Sequence, residues 1–148
     1  MSEDARFENP SGDELRAIYA SVETIAVVGA SGDPEKPSHT VPEYLQSKGY
    51  RIVPVSPRGG EVLGERVYTS LAEVDIPVDV VQVFRPPGEV PQIARDAAAI
   101  GAEFLWMQPG IVSEEAAAIG HDLGLTVIMD MCMRATHLLL GLGPRVDA

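Results

Sequence analysis

Five stretches of this chain, TIAVVGA, YRIVPVSP, VDVVQVF, EFLWMQPG and TVIMDM, read as strands that are apolar on both faces. A strand of that kind needs cover above and below, which is the condition of a parallel sheet between two helix layers. The intervening segments supply the helices. SGDELRAIYASV opens on Ser11 with Glu14 three residues later, the pattern of a capping box, and Leu15, Ile18, Tyr19 and Val22 recur at helical spacing. SHTVPEYLQSKGY reads as a helix with Ser38 as N-cap, Pro42 in or near its first turn and Gly49 as its stop. VYTSLAEV gives a short edge strand and then a helical turn capped by Ser70, with Glu73 three residues on. PPGEVPQIARDAAAIGA forms a helix ending at Gly101, and SEEAAAIGHDLGL one capped by Ser113 with two acids in its first turn. The tail CMRATHLLLGLGP has apolar positions without one clear period.

The expected fold is α/β, a Rossmann-like doubly wound parallel sheet in three layers and a single domain. A helix over 11–22 precedes a core over 23–130, and a tail follows over 131–148. The expected strand order is 3-2-1-4-5-6. Such a sheet has its ligand crevice where the order reverses, at the carboxyl ends of strands one and four. That places the turn at Gly29 beside the end of VQVFRPP.

Charge narrows the ligand. The net charge is −11 over 148 residues. Nucleic acid requires a basic face, and an anionic membrane surface is disfavoured on the same ground. A small anion stays feasible, because backbone dipoles and a few arginines act at short range. The single cysteine, Cys132, has no internal partner, the polar opening MSEDARFENP does not resemble a secretory signal, and a cytoplasmic location is the expectation.

The turns carry the chemistry. Gly29 closes strand one and lets backbone approach a ligand, ahead of a helix N-terminus suited to phosphate. Only Gly29 and Gly32 stand where the dinucleotide fingerprint asks for three glycines. An NAD site also wants an acid at the end of strand two, but Ser56, Pro57 and Arg58 occupy it and no acid precedes Glu61. Ser56 and Arg58 instead suit an extra phosphate on the ribose, as in NADP or coenzyme A; a solvated loop charge is the plainer reading of Arg58. After strand four, Phe84 offers an apolar surface and Arg85 a phosphate partner, with pairing to a surface carboxylate as its plainer role. After strand five, Gln108 is placed to hydrogen-bond a ligand and Gly110 to let the loop pass close, while Trp106 reads as core. Lys36, Arg58 and Arg85 are the cations nearest these turns, and Lys48 should point away. His39 lies in the same loop as Gly29. No cluster of His, Cys or acid supports a metal, and His137 reads as structural.

Four segments together, VVGASGDPEKPSHTVPEYLQSKGY, IVPVSP…VLGERVYTSL, VDVVQVFRPPGEVP and GAEFLWMQPGI, resemble the single-domain coenzyme A-binding proteins. These are similar to the coenzyme A-binding domain of the succinyl-CoA synthetase alpha chain, and the resemblance spans about residues 22 to 137. It implies that Gly29, Ala30 and Ser31 approach the diphosphate, and that Pro34, Lys36, Pro37 and Ser38 line the same loop. Ser56, Pro57 and Arg58 would take the adenosine side, Phe84, Arg85 and Pro86 would flank adenine or ribose, and the Gln108 to Ile111 stretch, with Gly110 in it, would face the pantetheine arm. It also implies that a third glycine is not required, since coenzyme A need not cross the sheet as a dinucleotide does.

The final segment departs from the family. Met131 precedes Cys132, and Thr136 precedes His137, where relatives often carry an arginine and an acid. Cys132 is read as a small buried apolar residue. The resemblance implies coenzyme A or an acyl-CoA as ligand and no reaction of the chain's own, since no nucleophile–base set is legible. An NADP-linked oxidoreductase fragment and a regulatory subunit with a vestigial pocket are the alternatives. Whether the partner is a second copy or another protein stays open.

Overall fold

The computed structural model describes residues 7–146; the stretch before Phe7 and the last two residues of the tail lie outside it. Five parallel strands, β1 (Thr24–Val28), β2 (Arg51–Val55), β5 (Val80–Val83), β6 (Phe104–Met107) and β7 (Thr126–Ile128), form one sheet in the order β2-β1-β5-β6-β7. Helices α1 (Gly12–Ser21), α2 (Pro37–Ser47) and α5 (Met133–Leu139) bury one face, where Leu15, Ile18, Leu45 and Met133 meet Ile25, Val27 and Trp106. Helices α3 (Val90–Ala99) and α4 (Glu114–Asp122) bury the other, where Val90, Ala94 and Ala116 meet Ala26, Val81 and Leu105. Successive strand residues alternate between these clusters, so the double apolarity in the sequence is the two-sided burial of each strand.

The expected third strand shrinks to one bridge. Tyr68 pairs with Val55 at the outer edge of β2, where that strand was expected, but the ladder stops there. The chain before it is already folded on itself as a hairpin, β3 (Glu61–Val62) and β4 (Glu65–Arg66), and the Val67 N–H is spent on the Gly60 carbonyl. Leu63 and Gly64 turn that hairpin with φ of 55° and 77°, a two-residue turn with both centres left-handed. After Tyr68 the backbone enters a 3-10 turn at Leu71–Glu73. Ser70 makes no side-chain cap there, contrary to expectation; the Thr69 hydroxyl donates to Glu73 at 2.8 Å instead.

Caps at Ser11 and Ser113 form as expected, with the reciprocal Ser11–Glu14 box complete. Ser38 does not cap α2. The cap falls two residues earlier, at Lys36, because Pro37 has the fixed φ that suits the first helical position, and Lys36 makes no side-chain bond there. Pro42 falls mid-helix and has no N–H for the Ser38 carbonyl. The Ser31 N–H donates to that carbonyl at 3.3 Å, so the defect in the helix becomes an anchor for the loop after β1. At the other end, Gly49 (φ 95°) and Tyr50 donate to the Gln46 and Leu45 carbonyls, a Schellman closure.

The tail forms a helix the sequence does not announce. Cys132 is half-buried rather than buried, and its Sγ accepts from the Ala135 N–H at 3.4 Å as the cap of α5. The Trp106 indole donates to the Met131 carbonyl at 2.9 Å, and the Tyr19 hydroxyl to the Met133 carbonyl at 2.6 Å, so α5 is held from β6 and α1 at once. The strand read as fully apolar contains Gln82, which is fully buried and donates at 3.4 Å to the Gln108 Oε1.

His137 is structural, as its isolation suggested. Its ring is fully buried, edge-on to Tyr19, Tyr44 and Tyr50, with Nδ1 2.7 Å from the Tyr44 hydroxyl. Burial holds the imidazole below its ordinary range, the Gly143 backbone opposing the shift and the Lys48 charge adding to it. A base whose folded pKa is depressed contributes stability in full above its unfolded pKa of about 6.5, and loses it as pH falls toward the folded value. Melting temperature should therefore drop as pH goes from 7 to 5.5, and the drop should shrink in His137→Phe. An equal drop in both proteins would refute this role.

Candidate functional site

Register sets the site. Val28 aligns with Val55 on one side and Val83 on the other, and Val83 with Met107. Gly29, Ser56, Phe84 and Gln108 therefore emerge at one level, along the carboxyl edge of the sheet. The backbone ladder runs one step past the strands, through Gly29 N–H to the Val55 carbonyl and Phe84 N–H to the Val28 carbonyl, each at 2.9 Å. The predicted turns at 29–38, 56–58 and 84–86 are thus direct neighbours around β1, and 108–111 lies one strand further on.

Gly29 has φ 93°, and a Cβ there would sit 2.9 Å from the Phe84 carbonyl oxygen and 3.0 Å from the Arg85 Cδ. The glycine is demanded by the neighbouring strand's backbone. A side chain there would press on the chain at the end of β5, and not only on a ligand.

The loop after Gly29 is braced from within. Ser31 Oγ accepts from the Asp33 N–H and Asp33 Oδ1 from the Glu35 N–H, both at 3.0 Å. Among the described residues, the N–H groups of Ala30, Gly32 and Ser38 meet no acceptor in the protein. A braced loop with open N–H groups entering the first turn of a helix is chemistry suited to an anion. Pro34, Lys36 and Pro37 are exposed along this loop.

Ser31, His39 and Glu43 are neighbours on this loop, but their geometry is not that of a nucleophile, a base and an orienting acid. His39 Nδ1 lies 2.8 Å from the Ser31 carbonyl rather than from its hydroxyl, and Glu43 is 3.9 Å from Nε2. His39 braces the loop from α2.

Pro57 and Arg58 are exposed and Ser56 is half-buried beside them, with no ion pair to Arg58 or Lys36 among the described residues. Phe84 is half-buried, and Pro86 is exposed. Arg85 takes the plainer of its two roles: it grips Glu89 through two parallel bonds, Nε to Oε1 at 3.0 Å and Nη2 to Oε2 at 2.7 Å. The pair shifts both groups toward the charged form, Arg85 up and Glu89 down, mainly through that hydrogen bonding.

Gln108 is only 3% exposed and turns inward, its Oε1 accepting from the Met133 N–H at 3.1 Å and from Gln82. Its side-chain carbonyl serves α5 and Gln82. Gly110 (φ 80°) is exposed and donates its N–H to Asp130 Oδ1 at 2.7 Å, and Ile111 is half-buried. Asp130 and Glu89 are the polar groups at this edge that sequence reasoning passed over. Glu89, four residues after Arg85 at the start of a helix, carried the i,i+4 signal for a pair; Asp130 is joined to Gly110 only by the fold.

An open groove of about 700 Å³ lies elsewhere, between Phe7–Pro10, α4 and β7. Its lining includes Glu8, Glu14, Glu114 and Asp122 and no lysine or arginine, so it repels an anion.

The profile of the CoA binding domain family, CoA_binding_2, matches residues 23–137. The chain belongs to that family. It is 41% identical over 130 residues to the uncharacterized protein YneT of Bacillus subtilis, covering 88% of this chain and 96% of that one. It is 31% identical over 95 residues to the alpha subunit of an ADP-forming acetate–CoA ligase of Pyrococcus furiosus, covering 60% of this chain and 20% of the subunit. A solved structure from Thermus thermophilus, cell-free ID.343, superposes with a TM-score of 0.85 at 38% identity, over 88% of this chain and 99% of that one. The expected resemblance to the coenzyme A-binding domain of the succinyl-CoA synthetase alpha chain therefore holds, and this chain spans only a fifth of the ligase subunit it matches. No helix among its described residues is long and apolar enough to cross a membrane.

Proposed function

We propose that this chain binds coenzyme A or an acyl-CoA along the carboxyl edge of its sheet, with the diphosphate at the Gly29 loop, and catalyses no reaction alone. One observation carries most of the reading: a braced loop with three unengaged N–H groups lies beside Ser56–Arg58, where β2 ends without an acid. The loop suits a diphosphate, and the exposed Arg58 suits a phosphate on the ribose. Phe84 gives the adenosine side an apolar wall, and the Gly110–Ile111 stretch remains for the pantetheine arm. The His39–Ser31 arrangement supports the absence of a nucleophile–base pair, since the imidazole addresses a carbonyl. Ligation belongs to the larger acetate–CoA ligase subunit and is not carried over.

The test is Arg58→Ala on coenzyme A and on dephospho-coenzyme A. A charge-assisted hydrogen bond is worth about 1.5 kcal/mol or more, so coenzyme A should bind about tenfold more weakly while the dephospho form scarcely changes. An equal loss on both ligands would remove Arg58 from the phosphate. Measurable acyl transfer or dehydrogenase turnover by the purified chain, lost on changing a residue of this edge, would overturn the non-catalytic part.

A further inference from the structure

Arg85 stands at the point where the strand order reverses, and its side chain passes close to Gly29, its Cδ 3.0 Å from where a Cβ on Gly29 would be. Yet its guanidinium is already occupied. Glu89 presents two carboxylate oxygens to it in the parallel, two-bond geometry by which arginine also recognises phosphate. The position of Glu89 is fixed by its backbone: Pro86 and Pro87 restrict the turn, and the Glu89 N–H closes it onto the Pro86 carbonyl at 3.0 Å. Both side chains remain about half exposed, 45% for Arg85 and 50% for Glu89, so the pair is open to exchange with a solute.

We propose that Glu89 is a built-in competitor for the anionic ligand: it holds Arg85 as an internal stand-in for a phosphate, and the ligand must displace it. This rests on the binding site proposed above and adds a residue that sets its affinity. An exposed ion pair is a weak competitor, worth little against a multiply charged ligand, so it lowers affinity without closing the site.

The experiment is calorimetric titration of coenzyme A into four proteins: wild type, Glu89→Gln, Arg85→Ala and the double variant. Glu89→Gln keeps the shape and removes the charge at an exposed position, so thermal melting should confirm an intact fold. It should bind coenzyme A about two- to fivefold more tightly than wild type. Arg85→Ala should bind more weakly than wild type, and adding Glu89→Gln to it should restore little, because the carboxylate acts through Arg85. Equal tightening in both backgrounds would mean a general charge effect and would overturn the proposal, as would unchanged or weaker binding by Glu89→Gln when wild type binds. Failure of wild type itself to bind coenzyme A would instead bring down the proposed function, and this inference with it.

Discussion

Gly29→Ala should lower the melting temperature by roughly 10 °C, while Gly32→Ala, three residues along the same loop, should leave it nearly unchanged. At Gly29 two costs add. The backbone sits at φ 93°, where an L-residue loses about 1–2 kcal/mol, and the new Cβ lands 2.9 Å from the Phe84 carbonyl oxygen. Backbone on a central strand cannot swing aside as a side-chain tip can, so relief requires β1 and β5 to move apart, which costs a further 1–3 kcal/mol or so. The sum is about 2–5 kcal/mol, and in a domain near this size each kcal/mol shifts the midpoint by about 3 °C. At Gly32 a Cβ meets nothing within 4 Å and φ is not in the left-handed region, so the change should stay within about 0.5 kcal/mol. Thermal unfolding followed by circular dichroism checks both. A Gly29→Ala protein that melts with wild type would show that β1 and β5 are not packed as closely as described here.

The same residue marks how far the sequence could be read. That Gly29 ends β1 at the crevice followed from an apolar run meeting a glycine, and a parallel sheet covered on both sides followed from strands too apolar to have an exposed face. What Gly29 touches depends on β5, more than fifty residues away, and no local pattern records it. The other misreadings share this origin. Ser38 has the residue type of a cap, yet Pro37 before it decides where the helix begins, and Pro42 hands the Ser38 carbonyl to Ser31. Tyr68 lies in a segment with strand-like residues, but the hairpin at 61–66 consumes the chain that would have extended it. Helix α5 is held from outside by Trp106, Tyr19 and Gln108, contacts without periodicity, so its seven residues looked featureless. Gln108 follows a strand at the crevice edge, yet its Oε1 is shared with a buried strand neighbour, Gln82, and with a helix end, which no local pattern records. Side chains that serve the turn itself were legible, and side chains shared between distant elements were not.

The choice between coenzyme A and NAD is the larger prediction for binding. Both offer a diphosphate to the Gly29 loop, so the loop alone does not separate them. The end of β2 does. NAD brings free ribose hydroxyls that want a carboxylate, and the residues there are Ser56, Pro57 and Arg58, with Glu61 already in the hairpin. Coenzyme A brings a ribose phosphate that an exposed arginine can meet. One missing carboxylate bond for NAD and one added charge-assisted bond for coenzyme A, each worth about 1.5 kcal/mol, together make on the order of a hundredfold. The direct measurement is isothermal titration of the purified chain with coenzyme A and with NAD at one salt concentration. The account predicts saturable one-to-one binding of coenzyme A, about a hundredfold tighter than NAD. NAD binding as tightly as coenzyme A, or more tightly, would contradict it.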